Sequence, residues 1–351
     1  MSPRIEAPAG GATVRMYMDS GFGDCFLLAF PRDDGGTATM LIDCGEWKRR
    51  KDELTAVSTA IEEATGGSID VLVATHEHTD HLSGFNSARE VWDRIAVGQV
   101  WLSWLDDPAN DLAGRLRTAY GKKLRAVAAA LDRWEASLAA LPAAAAAAAH
   151  LRLDSIRDVL AFEGAEPLGA AGTATIAQAI EYLRGKGAAE VDYLHPGQMP
   201  LTIPGVSNVR VYVLGPPEDE DAIKDMDPDP DDPETYELAL ALTADAAFLV
   251  AAEFGAAGRQ PPPNEVRQTL ERSYPFERHH RVPVADARAS FATSYFASDD
   301  WRRIDADWLE AAEQLALHLN SYTNNTSLVL AIELVDSGRV LLFPADSQVG
   351  N

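Results

Sequence analysis

Basic residues are scarce in this chain. Only 30 Lys plus Arg stand against 54 Asp plus Glu in 351 residues, a formal net charge of −24. A surface that neutralises many phosphates needs a basic face, so this balance excludes a protein that coats nucleic acid. Cysteine is nearly absent, with Cys25 and Cys44 alone. Two are too few for a disulfide framework in a chain of this length, which fits a reducing compartment, and a cytoplasmic location is expected. Long apolar runs are missing as well: the longest, residues 138–149, is mostly alanine and holds Pro142, whereas a spanning helix needs roughly 20 strongly apolar residues. The first ten residues carry Arg4 and Glu6 without the apolar core of a secretory signal. No membrane segment is expected.

What is present, 46% hydrophobic and 8% aromatic residues, suffices for a sizeable core. Two stretches share one pattern. Residues 25–30, a turn around Asp33, Asp34, Gly35 and Gly36, then residues 40–43 form the first. Residues 327–335, the turn Asp336-Ser337-Gly338, then residues 340–346 form the second. Each predicts a β-hairpin whose second strand runs into an aspartate, Asp43 in one and Asp346 in the other. Residues 69–75 and 209–214 read as further strands. Residues 111 to about 161 are rich in Ala, Leu and Arg and predict helix, broken only at Pro142. A capping box at Asp307 and Glu310 opens another helix, with Trp308, Ala312, Leu315, Ala316 and Leu319 at helical spacing. Strands and helices in mixed order give an α/β chain. Residues 216–237 hold eleven acidic residues against one lysine, interleaved with proline, and predict a solvated acidic loop that carries much of the net charge. The basic clusters Arg278 to Arg281 and Trp301 to Arg303 read as solvated surface.

The chemistry is concentrated in His76-Glu77-His78-Thr79-Asp80-His81, directly after the strand at 69–75. In extended backbone His76 and His78 project to one side and can share an ion, while Asp80 and His81 at the following turn can reach a second. Imidazole and carboxylate donors suit zinc, with manganese or iron as alternatives. Position agrees, because ligand sites in α/β proteins lie beyond the carboxyl ends of strands.

These residues resemble the metallo-β-lactamase superfamily signature, and other segments follow in the same order. Residues 23–28 and 41–45 look like its opening hairpin and first aspartate motif; residues 324–330 and 341–346 are similar to its later hairpin with a metal-bridging aspartate. Within the superfamily, the competence DNA-uptake (ComEC-like) branch is the one resembled. The resemblance covers about 10–105 and 190–351. It implies a four-layer αββα sandwich in one domain over 1–351, with a helical insertion at about 106–190 and a dinuclear site between two sheets. By the same analogy His76 and His78 bind one metal, Asp80 and His81 a second, and Asp346 bridges them. Asp80 and Asp43 are the carboxylates assigned to catalysis, Asp43 by hydrogen-bonding the metal loop.

Two departures accompany the resemblance. Gly215 stands where a third histidine motif is expected, with His195 the available substitute, and the last histidine of the pattern would lie beyond Asn351, which suggests a longer natural protein. The implied activity is metal-dependent hydrolysis, with a small molecule, nucleotide or nucleic acid as substrate and a phosphodiester preferred. An amide, lactam or thioester hydrolase on the same site, and a sensor or scaffold with a degenerate site, are the competing readings. A diiron oxygen-reducing relative is disfavoured because its pattern has a glutamate where His78 stands and no flavin-binding motif follows. Cys25 and Cys44 read as small buried hydrophobes; Asp24 is a turn residue or a group behind the ligands, and the residues do not separate the two. Asn324 and Asn325 read as turn residues, and His150, His279, His280 and His318 have no partner pattern.

Overall fold

The computed structural model describes residues 4–17, 23–47, 50–138, 176–224 and 323–347, together with positions 150, 153, 154, 157, 160, 161, 286 and 290. The expected helix at 307–319, both basic clusters, His279, His280, His318 and most of the acidic loop lie outside these residues. The chain divides into two units: Met1–Ala119, Ala161–Pro228 and Asn320–Asn351 form the first, Tyr120–Leu160 and Asp229–Leu319 the second.

The first unit is built on a six-stranded sheet in chain order: β1 (Thr13–Met16), β2 (Phe26–Pro31), β3 (Thr37–Ile42), β4 (Ser68–Val73), β5 (Ala96–Ser103) and β6 (Asp192–Leu194). β1, β2 and β3 pair antiparallel; β3, β4, β5 and β6 pair parallel. Parallel neighbours need crossovers, and helices supply them. Helix α1 (Lys51–Thr65) links β3 to β4; α2 (Thr79–Ser87) and α3 (Arg89–Trp92) link β4 to β5. In α1, Leu54, Val57, Ile61 and Ala64 are buried at helical spacing, Asp52 and Glu53 sit in the first turn where the helix dipole favours them, and Gly66 closes the helix at φ 68°.

A second sheet holds β7 (Val209–Gly215), β8 (Val329–Leu334) and β9 (Arg339–Phe343), all antiparallel. Both expected hairpins are therefore present, as β2–β3 and β8–β9. One core lies between the sheets, where Leu28, Phe30, Met40 and Val73 meet Val211, Val213, Leu330 and Ile332. The other covers the far face of the first sheet, where Leu27, Leu41 and Leu72 pack on Phe85 and Trp92 and on α5 (Ile176–Arg184). Among the described residues this gives three layers, helices on sheet on sheet, of the four expected. On the outer face of the second sheet Leu214, Val340 and Leu342 are exposed.

Further helices are α4 (Asp111–Leu138) and α6 (Glu220–Lys224), with a 3₁₀ turn at Trp104–Asp106 after β5. In the second unit Leu131, Leu153 and Leu160 are buried, and Arg157 bonds Glu135 at 2.5 Å. No helix among the described residues is long and apolar enough to cross a membrane.

Candidate metal centre

Strand register brings the site together. Because Phe26 faces Ile42 across β2 and β3, Asp24, just before one strand, and Asp43, just after the other, emerge at the same edge. β4 ends beside them and releases the 76–81 segment. In the second sheet Leu330 faces Phe343, so the chain after β9 returns to the start of β8, where the Leu328 amide donates to the Thr75 carbonyl at 2.9 Å. That bond sets Asp346 against His76. Phe26 and Phe343 meet edge to face at 5.5 Å and tie the two hairpins. Both hairpins end in left-handed backbone away from glycine, Asp43 at φ 57° and Ala345 at φ 48°, which is the kind of local strain that concentrates at functional sites.

His76, His78, Asp80, His81 and Asp43 are all buried, with Asp346 half-exposed. His76 Nε2 lies 2.8 Å from His78 Nδ1. Asp346 Oδ2 lies 3.4 Å from His81 Nε2 and 3.9 Å from His76 Nε2. Donor atoms of His76, His78 and Asp346 fall within 4.8 Å of one another, and so do those of Asp24, His81 and Asp346. Asp346 is common to both groups. Asp80 belongs to neither; its Oδ2 is 3.8 Å from His81 Nε2, and its Oδ1 is buried without a hydrogen-bond partner.

Asp43 sits behind His81. It accepts the Thr75 amide at 2.8 Å on Oδ1, and the Thr75 hydroxyl at 2.6 Å and His81 Nδ1 at 2.8 Å on Oδ2. With Nδ1 bonded to Asp43, Nε2 of His81 is the ring nitrogen turned towards Asp346.

Burial holds His76 well below the usual histidine range, with His81 and His78 adding to the effect, so its imidazole is neutral. Burial would lower His81 too, but the charges of Asp43, Asp346 and Asp80 prevail and raise it well above that range. Burial pushes Asp80 up to about 6 against the pull of His81 and His78. Burial also opposes the ionised form of Asp346, yet hydrogen bonding to His81 holds its carboxyl below the usual value.

The metal loop is held at close quarters. The Asp24 amide donates to the Asp80 carbonyl at 3.1 Å, and the Cys44 amide to the His81 carbonyl at 2.8 Å. A Cβ on Gly45 would stand 2.3 Å from the Asp80 carbonyl carbon and 2.4 Å from the His81 nitrogen. Gly45→Ala is expected to lower the melting temperature of the metal-free protein by the equivalent of about 1–3 kcal/mol, measured by thermal denaturation, because the added methyl meets backbone and not a flexible side chain. Ser83 accepts the Glu46 amide at 2.9 Å and donates back to its carbonyl at 3.0 Å, fixing α2 to the loop after β3.

Two features escaped sequence reasoning. Asp24 stands among the donors, and the signal that could have located it was the hairpin register. Glu77, between two histidines, hydrogen-bonds the buried Asp106, whose carboxyl burial and Glu77 together hold well above the usual range against Arg184 and Arg117. A carboxyl buried after β5 has no spacing signature in the sequence. His195 bonds Glu218 on an exposed surface and takes no part in either donor group. Gly215 ends β7 opposite Val329 and offers no donor. His150 is exposed. Asn324 and Asn325 are buried in the turn before β8, and both cysteines are free and buried.

The buried, partnerless Asp80 Oδ1 and the two groups of imidazole and carboxylate donors fit a divalent cation. No curated protein and no solved structure matches the chain. Residues 18–106, the stretch that carries β2 to β5 and the whole 76–81 segment, match the family model of the Metallo-beta-lactamase superfamily.

Proposed function

We propose that this protein is a metal-dependent hydrolase with a dinuclear centre, zinc first and manganese or iron as alternatives. The observation that supports the reading is Asp346, which stands in both groups of donors that could hold a metal ion. His76, His78 and Asp346 would hold one; His81 and Asp346 the other, with Asp80, whose Oδ2 is 3.8 Å from His81 Nε2, beside them. When bound, such ions bring the pKa of a coordinated water towards neutrality and polarise the bond to be cleaved.

The remaining work belongs to the chain. Asp43 keeps His81 in the tautomer whose Nε2 faces Asp346. Asp80 Oδ1, buried and without a partner, is the atom positioned to orient water and take its proton. The walls of strand and helix around His76 and His78 exclude bulk water and strengthen each of these interactions. A phosphodiester of a small molecule, nucleotide or nucleic acid is the preferred substrate, on the likeness to the competence DNA-uptake branch. A cytoplasmic location goes with the two cysteines, which are buried and free.

Bis(p-nitrophenyl) phosphate, a lactam and a thioester, offered in parallel to zinc-loaded protein, test the reading. Phosphodiester turnover that a chelator abolishes is expected; turnover of the acyl substrates alone would transfer the site to an acyl hydrolase. A degenerate sensor is favoured only by Gly215 and the surface pairing of His195, and it predicts no turnover of any of the three. Metal removal gives a second outcome. Chelation should destabilise the fold by about 2.7 kcal/mol relative to free zinc at a hundred times Kd, read as a drop in melting temperature.

A further inference from the structure

The geometry points to Asp24 as a direct ligand of the second ion, beside His81 and Asp346. This rests on the dinuclear reading above and supplies a donor which that reading lacks, since Gly215 and His195 contribute none. The Asp24 carboxylate, the His81 imidazole and the Asp346 carboxylate each offer an atom within 4.8 Å of the others. His81 is buried and has its other nitrogen committed to Asp43 at 2.8 Å. An independent feature points to a ligand at the same place: Asp80 Oδ1, buried and partnerless, on a side chain whose Oδ2 is 3.8 Å from the same His81 Nε2.

Backbone hydrogen bonds hold Asp24 in place. Its amide donates to the Asp80 carbonyl at 3.1 Å, and its carbonyl accepts from the Gly45 amide at 3.3 Å. A Cβ on Gly23 would stand 2.4 Å from the Gly45 carbonyl oxygen and 2.7 Å from that of Asp80, so only glycine lets the loop approach this closely. The hairpin thus delivers two carboxylates to one edge with different tasks: Asp43 behind His81 and Asp24 in front of it. With Asp24, the residues that would hold the second ion are Asp24, Asp80, His81 and Asp346, and those that would hold the first are His76, His78 and Asp346.

Zinc titration and elemental analysis of wild type, Asp24→Asn and His76→Ala decide the matter, with Asp24→Ser as a smaller neutral replacement. Asp24→Asn should lower the stoichiometry from about two ions to about one and weaken the second by more than 100-fold, beyond the ~10–100-fold typical when a ligand merely loses a supporting partner. The cobalt-substituted variant should lose one set of visible absorption bands, while its metal-free melting temperature does not fall below that of wild type, because burial already opposes the Asp24 charge. His76→Ala should empty the other position. Asp24→Asn or Asp24→Ser binding two ions with affinities within about threefold of wild type would overturn the inference while leaving the metal centre standing. Wild type that binds no ion would overturn both.

Discussion

Asp80→Asn should leave a protein that is more stable than wild type without metal and inactive with it. Asp80 is buried, and burial raises its carboxyl from 3.8 to about 6. A folded-state pKa above the unfolded one means that folding opposes the charge. Below pH 3.8 the carboxyl is protonated in both states and contributes nothing. Between there and about pH 6 the unfolded chain releases its proton first, so stability falls as pH rises. Above that the penalty is complete, about 3 kcal/mol at 1.36 kcal/mol per unit. Asparagine carries no such penalty. The difference in unfolding free energy between the metal-free variant and wild type should therefore be near zero at pH 3.5 and grow to a plateau above pH 6. His76 and the titrating groups away from Asp80 act in both proteins and cancel to first order, and the pull of His81 is already contained in the value of about 6. Hydrolysis should fall by roughly 10²–10⁴-fold in the same variant, the range for loss of a positioned acid–base group. A gain in one property with a loss in the other is what a site held for function predicts; unchanged turnover in Asp80→Asn would remove Asp80 from the chemistry.

Asp43→Ala is expected to be the most damaging single change in the fold. One carboxylate accepts three hydrogen bonds, two from Thr75 and one from His81, and is itself buried. Its removal strands the Thr75 amide and leaves His81 without its counter-charge, a loss of about 3–5 kcal/mol for a broken buried pair. Thermal or urea denaturation of the metal-free protein measures it. Asp43→Asn is the gentler probe, because asparagine also tolerates the left-handed backbone at φ 57°. The amide cannot accept from Thr75 and His81 at every oxygen that the carboxylate offers, so zinc affinity should fall about 10–100-fold with the fold retained. Equal zinc affinity in Asp43→Asn and wild type would show that the histidine does not depend on this partner.

Local signals in the sequence reached the hairpins and the histidine segment. Gly35, Gly36 and Gly338 mark turns between alternating apolar runs, and both runs are strands that pair as expected. His76, His78 and His81 lie within six residues after a β-branched strand, so their meeting is nearly a matter of local geometry. Asp346 is 265 residues beyond His81, and the repeated pattern of a hairpin ending in aspartate, together with the family resemblance, linked it to the site. What the sequence did not yield depends on register and close approach. Asp24 joins the donors because Phe26 pairs with Ile42 and because Gly23 and Gly45 admit the Asp80 backbone; neither fact is written in spacing. Asp106 and Glu77 meet because β5 runs parallel to β4. His195 had the residue type of a ligand, and its pairing with Glu218 is a matter of tertiary placement that no motif reports.

The central claim is that this arrangement of imidazoles and carboxylates exists to hold metal. Elemental mass spectrometry on protein purified without added metal tests it most directly. The account predicts about two zinc ions per chain, lost on dialysis against a strong chelator and restored by zinc alone. Protein that carries no metal, and takes up none when zinc is supplied, would contradict it.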